Sequence, residues 1–466
     1  MRVKLKNAVC LALAVLTVAG SASCAGIGVS LDDLYIPTYE DNGQHHRTMA
    51  SLPPNLSSKE QAELYKAAGF NSAPYTEDFV KAEDVITKGA DSAYMKGLKV
   101  CEEVGIDVFI RPHSGFTSST PTEEPCYYEK YFSNIDFRDY PAVKGFFVVD
   151  EPSFGQLVDL EDRYLTWFNE NYGGEGYEFW SNLFGCHNVN WKTGDYKTKT
   201  YNDYAELYLS IVDRAQTPRK VHSIDFYTLH LKDGVYSMYE YNLKVHEDAA
   251  RRARNHGADL GNYVQVFGGT ADGNSYRIPT TAGEVYWGVY NSLSFGTRDL
   301  KFFHYREYKK DGLLGMLTDG EPNERYYWVQ EALEMVRKWD HVLLSYEWEH
   351  LYTNVGTGSR LAVNPAFEHV RGVVKPITDV KTVQSKYDIT MNEFTDGDGN
   401  KAFMLCNYDD PIMQRSNKTA VTFENAKGVL YYRNGEPITS ILKDGKFEIE
   451  LEAGEGVFVI PLYEKK

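Results

Sequence analysis

Gly145-Phe146-Phe147-Val148-Val149-Asp150-Glu151-Pro152 is an apolar run that ends abruptly in two adjacent carboxylates and a proline. A strand with no polar alternation is buried on both faces, which means a parallel sheet covered by helices. Outward from this stretch the same unit, a short apolar run followed by a helical stretch, recurs from Gly26 to about Ser345. Strands are expected at Ile27–Leu31, Phe70–Tyr75, Ile106–His113, Val143–Val149, Phe179–Phe184, Val221–Leu229, Tyr263–Phe267 and Asp299–Tyr305. Helices fall between them, as at Ser58–Ala68, Ser92–Val104, Tyr201–Ala215, Met238–His256 and Thr281–Phe295, with Glu324–Trp339 after the last strand. Eight strands alternating with helices close into a (β/α)₈ barrel more readily than they form an open sheet. An open sheet for a nucleotide would need a glycine-rich turn after its first strand. Ser30-Leu31-Asp32-Asp33 stands there instead, so no nucleotide cofactor is expected.

Past Ser345 the helical period disappears. Short alternating strands follow at Ala402–Asn407, Ala420–Phe423, Gly428–Tyr432, Lys446–Leu451 and Gly456–Pro461, parted by turn signals such as Asn434-Gly435 and Asp444-Gly445. The reading is therefore a barrel at 26–345 and a small β-sandwich at 346–466. Two units suit 466 residues, since single cores stop growing at about 250–300 residues.

Residues 1–25 read as a signal peptide, with Arg2, Lys4 and Lys6 before the apolar run Ala8–Ala19. That run is shorter than the about 20 residues a membrane-spanning helix needs. Ser21-Ala22-Ser23 then precedes Cys24, and two outcomes stand: lipidation of Cys24, or plain cleavage near Ala25. Export, to the periplasm, cell surface or medium, is common to both. The net charge is −17 and no basic run follows the leader, which disfavours nucleic acid and anionic membranes as partners. Aromatic residues make up 14%, with 35 Tyr. They suit large cores, and equally the faces on which sugar rings stack. Cys101, Cys126, Cys186 and Cys406 form no C-x-x-C pair and no His cluster accompanies them, so no metal is expected; a Cys126–Cys186 bridge is left open.

Barrels carry their chemistry at the C-terminal strand ends. Those ends hold Asn71 and Tyr75, Arg111 and His113, Asp150-Glu151, Asn182, Asp225, Tyr227 and His230, Gln265, and His304, Tyr305 and Arg306. A lone polar residue at such a place is ordinarily just solvated, but a ring of them suggests a site. Glycoside cleavage needs a carboxylic acid whose proton is retained by apolar surroundings or a neighbouring charge, and Glu151 has both in sequence.

Phe147-Val148-Val149-Asp150-Glu151-Pro152 resembles the Asn-Glu-Pro ending of strand 4 in clan-A glycoside hydrolases. Tyr263–Gly268, Arg277-Ile278-Pro279-Thr280, Ser294-Phe295-Gly296 and Leu451–Phe458 are similar to bacterial β-galactosidase-like proteins with a β-sandwich after the barrel. The resemblance implies that Glu151 is the acid/base and that position 150 holds a sugar hydroxyl. Asp150 departs from the pattern and resembles the Asp-Glu pair of substrate-assisted hexosaminidases. A larger departure is at the end of strand 7, where those enzymes place a nucleophilic Glu and this chain has Gln265-Val266-Phe267-Gly268. Glu284 lies nearby, but Thr281-Ala-Gly-Glu284 reads as a capping box. Asp225 is the favoured second carboxylate, as nucleophile, base or substrate-holding group, and Glu307 is the reserve. Tyr75, Tyr227 and Tyr305 are the expected sugar platforms, with Arg111, His113, Asn182, Gln265 and His304 as polar partners. The competing class is a non-catalytic glycan-binding protein on a degenerate barrel, which the missing strand-7 Glu would favour.

Overall fold

The computed structural model describes residues 29–75, 83–111, 126–186, 188–232, 235–236, 239–271, 274–307, 312–354 and 379–465. Eight parallel strands run in the order 1-8-7-6-5-4-3-2: β1 (Arg47–Ala50), β2 (Ser72–Tyr75), β3 (Asp107–Ile110), β4 (Val143–Asp150), β5 (Glu178–Phe184), β6 (Val221–Asp225), β7 (Asp259–Gln265) and β8 (Thr297–Phe303). The sheet closes where β2 meets β1. Asn71 N–H donates to Thr48 O at 3.1 Å, and the Asn71 side chain accepts from Thr48 N–H and donates to His46 O. Asn71 is thus a seam residue at the end of β2 opposite the site. The fold is a TIM-type barrel, as the alternation predicts.

One strand differs from expectation. Leu31–Asp33 is a turn of 3₁₀ helix, and the first barrel strand is Arg47-Thr-Met-Ala50. Its polar residues read as loop because their satisfaction comes from other strands. Arg47 points into the barrel, where it pairs with Glu178 and with Asp299 at 3.3 Å. Leu34, meanwhile, bridges to Glu464 and is buried against the C-terminal strand.

The barrel interior is layered. At the N-terminal end Arg47, Glu178, Arg219, Asp259 and Asp299 form an ion-pair plug. Above it Met49, Phe109, Phe147, Trp180 and Val221 make an apolar floor, with Phe147 stacked on Trp180 at 4.2 Å. Gly145 lets β4 approach β5 closely, since a Cβ there would overlap the Glu178 carbonyl. Gly145→Ala is accordingly expected to cost about 1–3 kcal/mol, read as a fall in the denaturant midpoint at unchanged m-value.

Beyond the last barrel helix come β9 (Tyr346–Asn354), β10 (Val380–Ser385), β11 (Ile389–Asp396), β12 (Lys401–Asn407), β13 (Asn417–Phe423), β14 (Gly428–Arg433), β15 (Glu436–Ile441), β16 (Lys446–Leu451) and β17 (Gly456–Leu462). They form a six-stranded sheet, 9-11-12-17-14-15, packed on a three-stranded one, 10-13-16. Strand periodicity decides the layering. Phe403, Leu405, Val457 and Val459 face the sandwich core, whereas Met404, Cys406, Phe458 and Ile460 belong to the core shared with the barrel. Helix Ala282–Ser294 lies against that second face, with Cys406 Sγ 3.6 Å from Tyr290 O.

Candidate active site

The site begins with a break in strand β4. Phe147 pairs with Trp180, but Asp150 pairs with Asn182, so three steps on β4 match two on β5. This bulge at Val148–Val149 turns Asp150 onto the face that Phe147 occupies; strict alternation would have put it on the other. Glu151 follows with φ 48°, a left-handed conformation that a non-glycine residue adopts at a cost. Surrounding contacts hold it there. Glu151 N–H donates to Asn182 O at 2.8 Å, and the buried Tyr204 hydroxyl donates to Pro152 O at 2.8 Å. Strain of this kind concentrates at functional sites, and here it aims the carboxyl of Glu151.

Asp150 is held on both oxygens: Arg111 Nη2 donates to Oδ2 at 3.0 Å, and Asn182 Nδ2 donates to Oδ1 at 3.1 Å. The Arg111 guanidinium lies over the Phe147 ring, 4.8 Å from its centre. Asp225, at the end of β6, lies within the influence of the Glu151 carboxyl, the Tyr227 hydroxyl and the Asp150 charge. Burial, and then the charge of Asp150, push its pKa up to about 7, while Glu151 and Tyr227 act downward. Asp150, Glu151 and Asp225 therefore stand together at the C-terminal mouth, with a proton retained on Asp225 near neutrality. Beside them Tyr227 packs edge-on to Phe267 at 5.0 Å and lies near Phe303 and Tyr276, an aromatic wall at the mouth.

Several expected site residues lie elsewhere. Tyr75 is buried outside the barrel, its hydroxyl on Tyr94 O at 2.9 Å and its ring accommodated by Gly97, so it is no sugar platform. Tyr305 has no exposure and packs edge-on against Tyr65 and Phe70. Gln265 is spent on backbone: it accepts from Leu229 N–H at 2.9 Å and donates to Phe267 O and Arg277 O. It fixes the loops after β6 and β7 and leaves nothing for a sugar hydroxyl. His304 is fully buried beneath Phe267, with Nδ1 on Arg306 O, which removes it from direct contact with a ligand. Asn182 is buried and acts on Asp150. Glu284 caps its helix and pairs with Arg277, as its capping box implies. Glu307 accepts from Asp319 N–H at 2.8 Å. His113 and the His230 side chain lie outside the described residues. The cysteines among the described residues are free thiols, so Cys126 and Cys186 are not bridged.

Two participants escaped the sequence reading. Ser223 donates to Asn182 Oδ1 at 2.7 Å, and Lys301 donates to Ser223 Oγ at 2.8 Å. The available signal was a lysine inside the apolar run Leu300–Phe303, two residues along from the inward-facing Asp299. Among the described residues no group of three His, Cys, Asp or Glu is placed to hold a metal ion.

No protein-family model matches this chain, and no curated protein matches it. Solved structures that align with it include glycoside hydrolases at low identity. One glycoside hydrolase aligns over 93% of this chain and 96% of its own, at 11% identity and a TM-score of 0.47. A GH27 β-L-arabinopyranosidase from Geobacillus stearothermophilus covers 90% of this chain and 96% of its own, at 10% identity and a TM-score of 0.46. An endo-β-1,4-mannanase from Thermotoga petrophila covers 88% and 98%, at 9% identity and a TM-score of 0.42.

Proposed function

We propose that the protein is a glycoside hydrolase in which Glu151 protonates the leaving-group oxygen. The observation that carries this reading is the Glu151–Asp225 contact at the barrel mouth, where burial and the Asp150 charge keep a carboxyl proton available near pH 7. Tyr227, with Phe267 and Tyr276 around it, is the platform for the sugar ring. Arg111 neutralises Asp150, so that three carboxylates can share one mouth.

Asp225, expected as nucleophile, base or substrate-holding group, is read here as the group beside Glu151 that retains a proton near neutrality and supports it as the acid. The group that attacks the anomeric carbon then comes from the substrate or from water on the opposite face. Export, with Cys24 as lipid anchor or removed with the leader, belongs to the same proposal. The preference for β-linked sugars, β-galactosides included, rests on the sequence resemblance.

Hydrolysis of a panel of plant and host glycans by the mature protein tests the reading, with Asp225→Asn alongside. The parent is expected to release sugar, and Asp225→Asn to move the upper limb of its pH profile to lower pH. Retention of a glycan without any cleavage would establish the binder instead, and Gln265 in place of a strand-7 Glu is the observation that would have favoured it.

A further inference from the structure

We propose that Lys301 is a positioning residue: through Ser223 its ammonium orients the Asn182 amide, so that the Asn182 NH₂ faces Asp150 and fixes that carboxylate at the mouth. The inference deepens the glycosidase reading and rests on it for the use made of Asp150. The hydrogen bonds run one way. Lys301 Nζ donates to Ser223 Oγ at 2.8 Å, Ser223 donates to Asn182 Oδ1 at 2.7 Å, and Asn182 Nδ2 donates to Asp150 Oδ1 at 3.1 Å. An ammonium has no lone pair, so Ser223 accepts from it and spends its single proton on Asn182. The Asn182 carbonyl must then face Ser223 and its NH₂ must face Asp150. Asp150 Oδ1 can only accept, and Arg111 makes the same demand of Oδ2. Protonating either oxygen would set a donor against a donor.

The surroundings are built for this lysine. It is fully buried inside the barrel, with Nζ 3.9 Å above the Trp180 ring and 5.6 Å from that of Tyr263. Gly261 makes the room, since a Cβ there would stand 2.7 Å from Lys301 Nζ and 3.2 Å from Ser223 Cβ. Burying an amine is costly: burial pulls Lys301 down to about 7, Asp299 and Asp150 favour its charge, and Arg47 and Arg219 oppose it. Asp299, 4.0 Å away, does not require it, because Arg219 at 2.6 Å and Arg47 at 3.3 Å already pair with that carboxylate. A methionine would fill the space without the desolvation penalty. What only the ammonium supplies is the donor to Ser223.

The test is the ¹H–¹⁵N signal of the Asn182 side-chain amide in the whole protein, assigned with Asn182→Ala. Asp150→Asn serves as the control, since changing the carboxylate that accepts from Asn182 Nδ2 must move that signal. Lys301→Met and Ser223→Ala are each expected to move it as well, and to speed exchange of its protons with solvent. Ser223→Ala keeps the ammonium and removes one hydroxyl, so it carries the test by itself should Lys301→Met fold poorly. An Asn182 signal unmoved by Ser223→Ala, while Asp150→Asn moves it, overturns the proposal. A shift in Lys301→Met alone overturns the chain as well, since the charge would then act through space. The measurement needs no substrate. Absence of hydrolysis would count against the glycosidase reading and leave this result standing.

Discussion

Glu151→Gln is expected to lower kcat by about 10²–10⁴-fold on any glycoside the parent cleaves, with KM little changed. Glutamine matches glutamate in size and meets the same backbone cost at φ 48°, so the fold and the hydrogen-bonded mouth are retained. It lacks only the transferable proton. The loss should therefore depend on the leaving group. An aryl glycoside with an acidic phenol departs with little protonation, and its kcat should fall far less than that of an alkyl or sugar glycoside. Steady-state kinetics on one substrate of each kind make the comparison. Equal losses on both, or a raised KM at unchanged kcat, would assign Glu151 to binding and place the acid elsewhere. Asp225→Asn separates the two carboxyls further, because it leaves Glu151 its proton and changes only how tightly that proton is held.

The second large effect is acid destabilisation well above the usual carboxylate range. His222, His246 and His304 are fully or almost fully buried, and burial pulls them down to about 3, about 4 and about 4. In the unfolded chain each titrates near 6.5. Between those values the unfolded chain binds more protons, so stability is full above about pH 6.5 and is lost as pH falls. Asp225 has the opposite sign. It is raised to about 7 when folded, and so binds a proton that the unfolded chain, titrating near 3.9, has released. At pH 5.5 the net difference is roughly two protons, a slope of about 2–3 kcal/mol per pH unit. Lys301, lowered to about 7, continues the same sign above neutrality. Urea unfolding from pH 7.5 to 5 measures the slope. A flat profile would mean that these histidines accept protons in place.

Much of this molecule is written in its periodicities. Apolar runs such as Phe146–Val149, alternating with helical stretches, determine a parallel barrel, because only a sheet covered on both faces can bury them. The alternating strands after Ser345 determine a second all-β layer. The end of an apolar strand places Glu151 at the C-terminal mouth of the barrel, and the capping box at Thr281–Glu284 is legible because it is local. Strand residues buried on either face look alike in sequence, and this is where the reading stops. Tyr75 and Tyr305 face helices, whereas Lys301 and Asp225 face inward, and only the closed sheet decides which parity is which. The bulge at Val148–Val149 shifts that parity within one strand and delivers Asp150 to Arg111 and Asn182. Gln265 is a polar strand end like the others until loops from two strands claim its amide. The meeting of Glu151 with Asp225 is likewise tertiary, since β5 lies between their strands and sets their register. Hydrophobic period is a property of neighbours along the chain; the identity of a carboxylate's partner is a property of neighbours across the barrel.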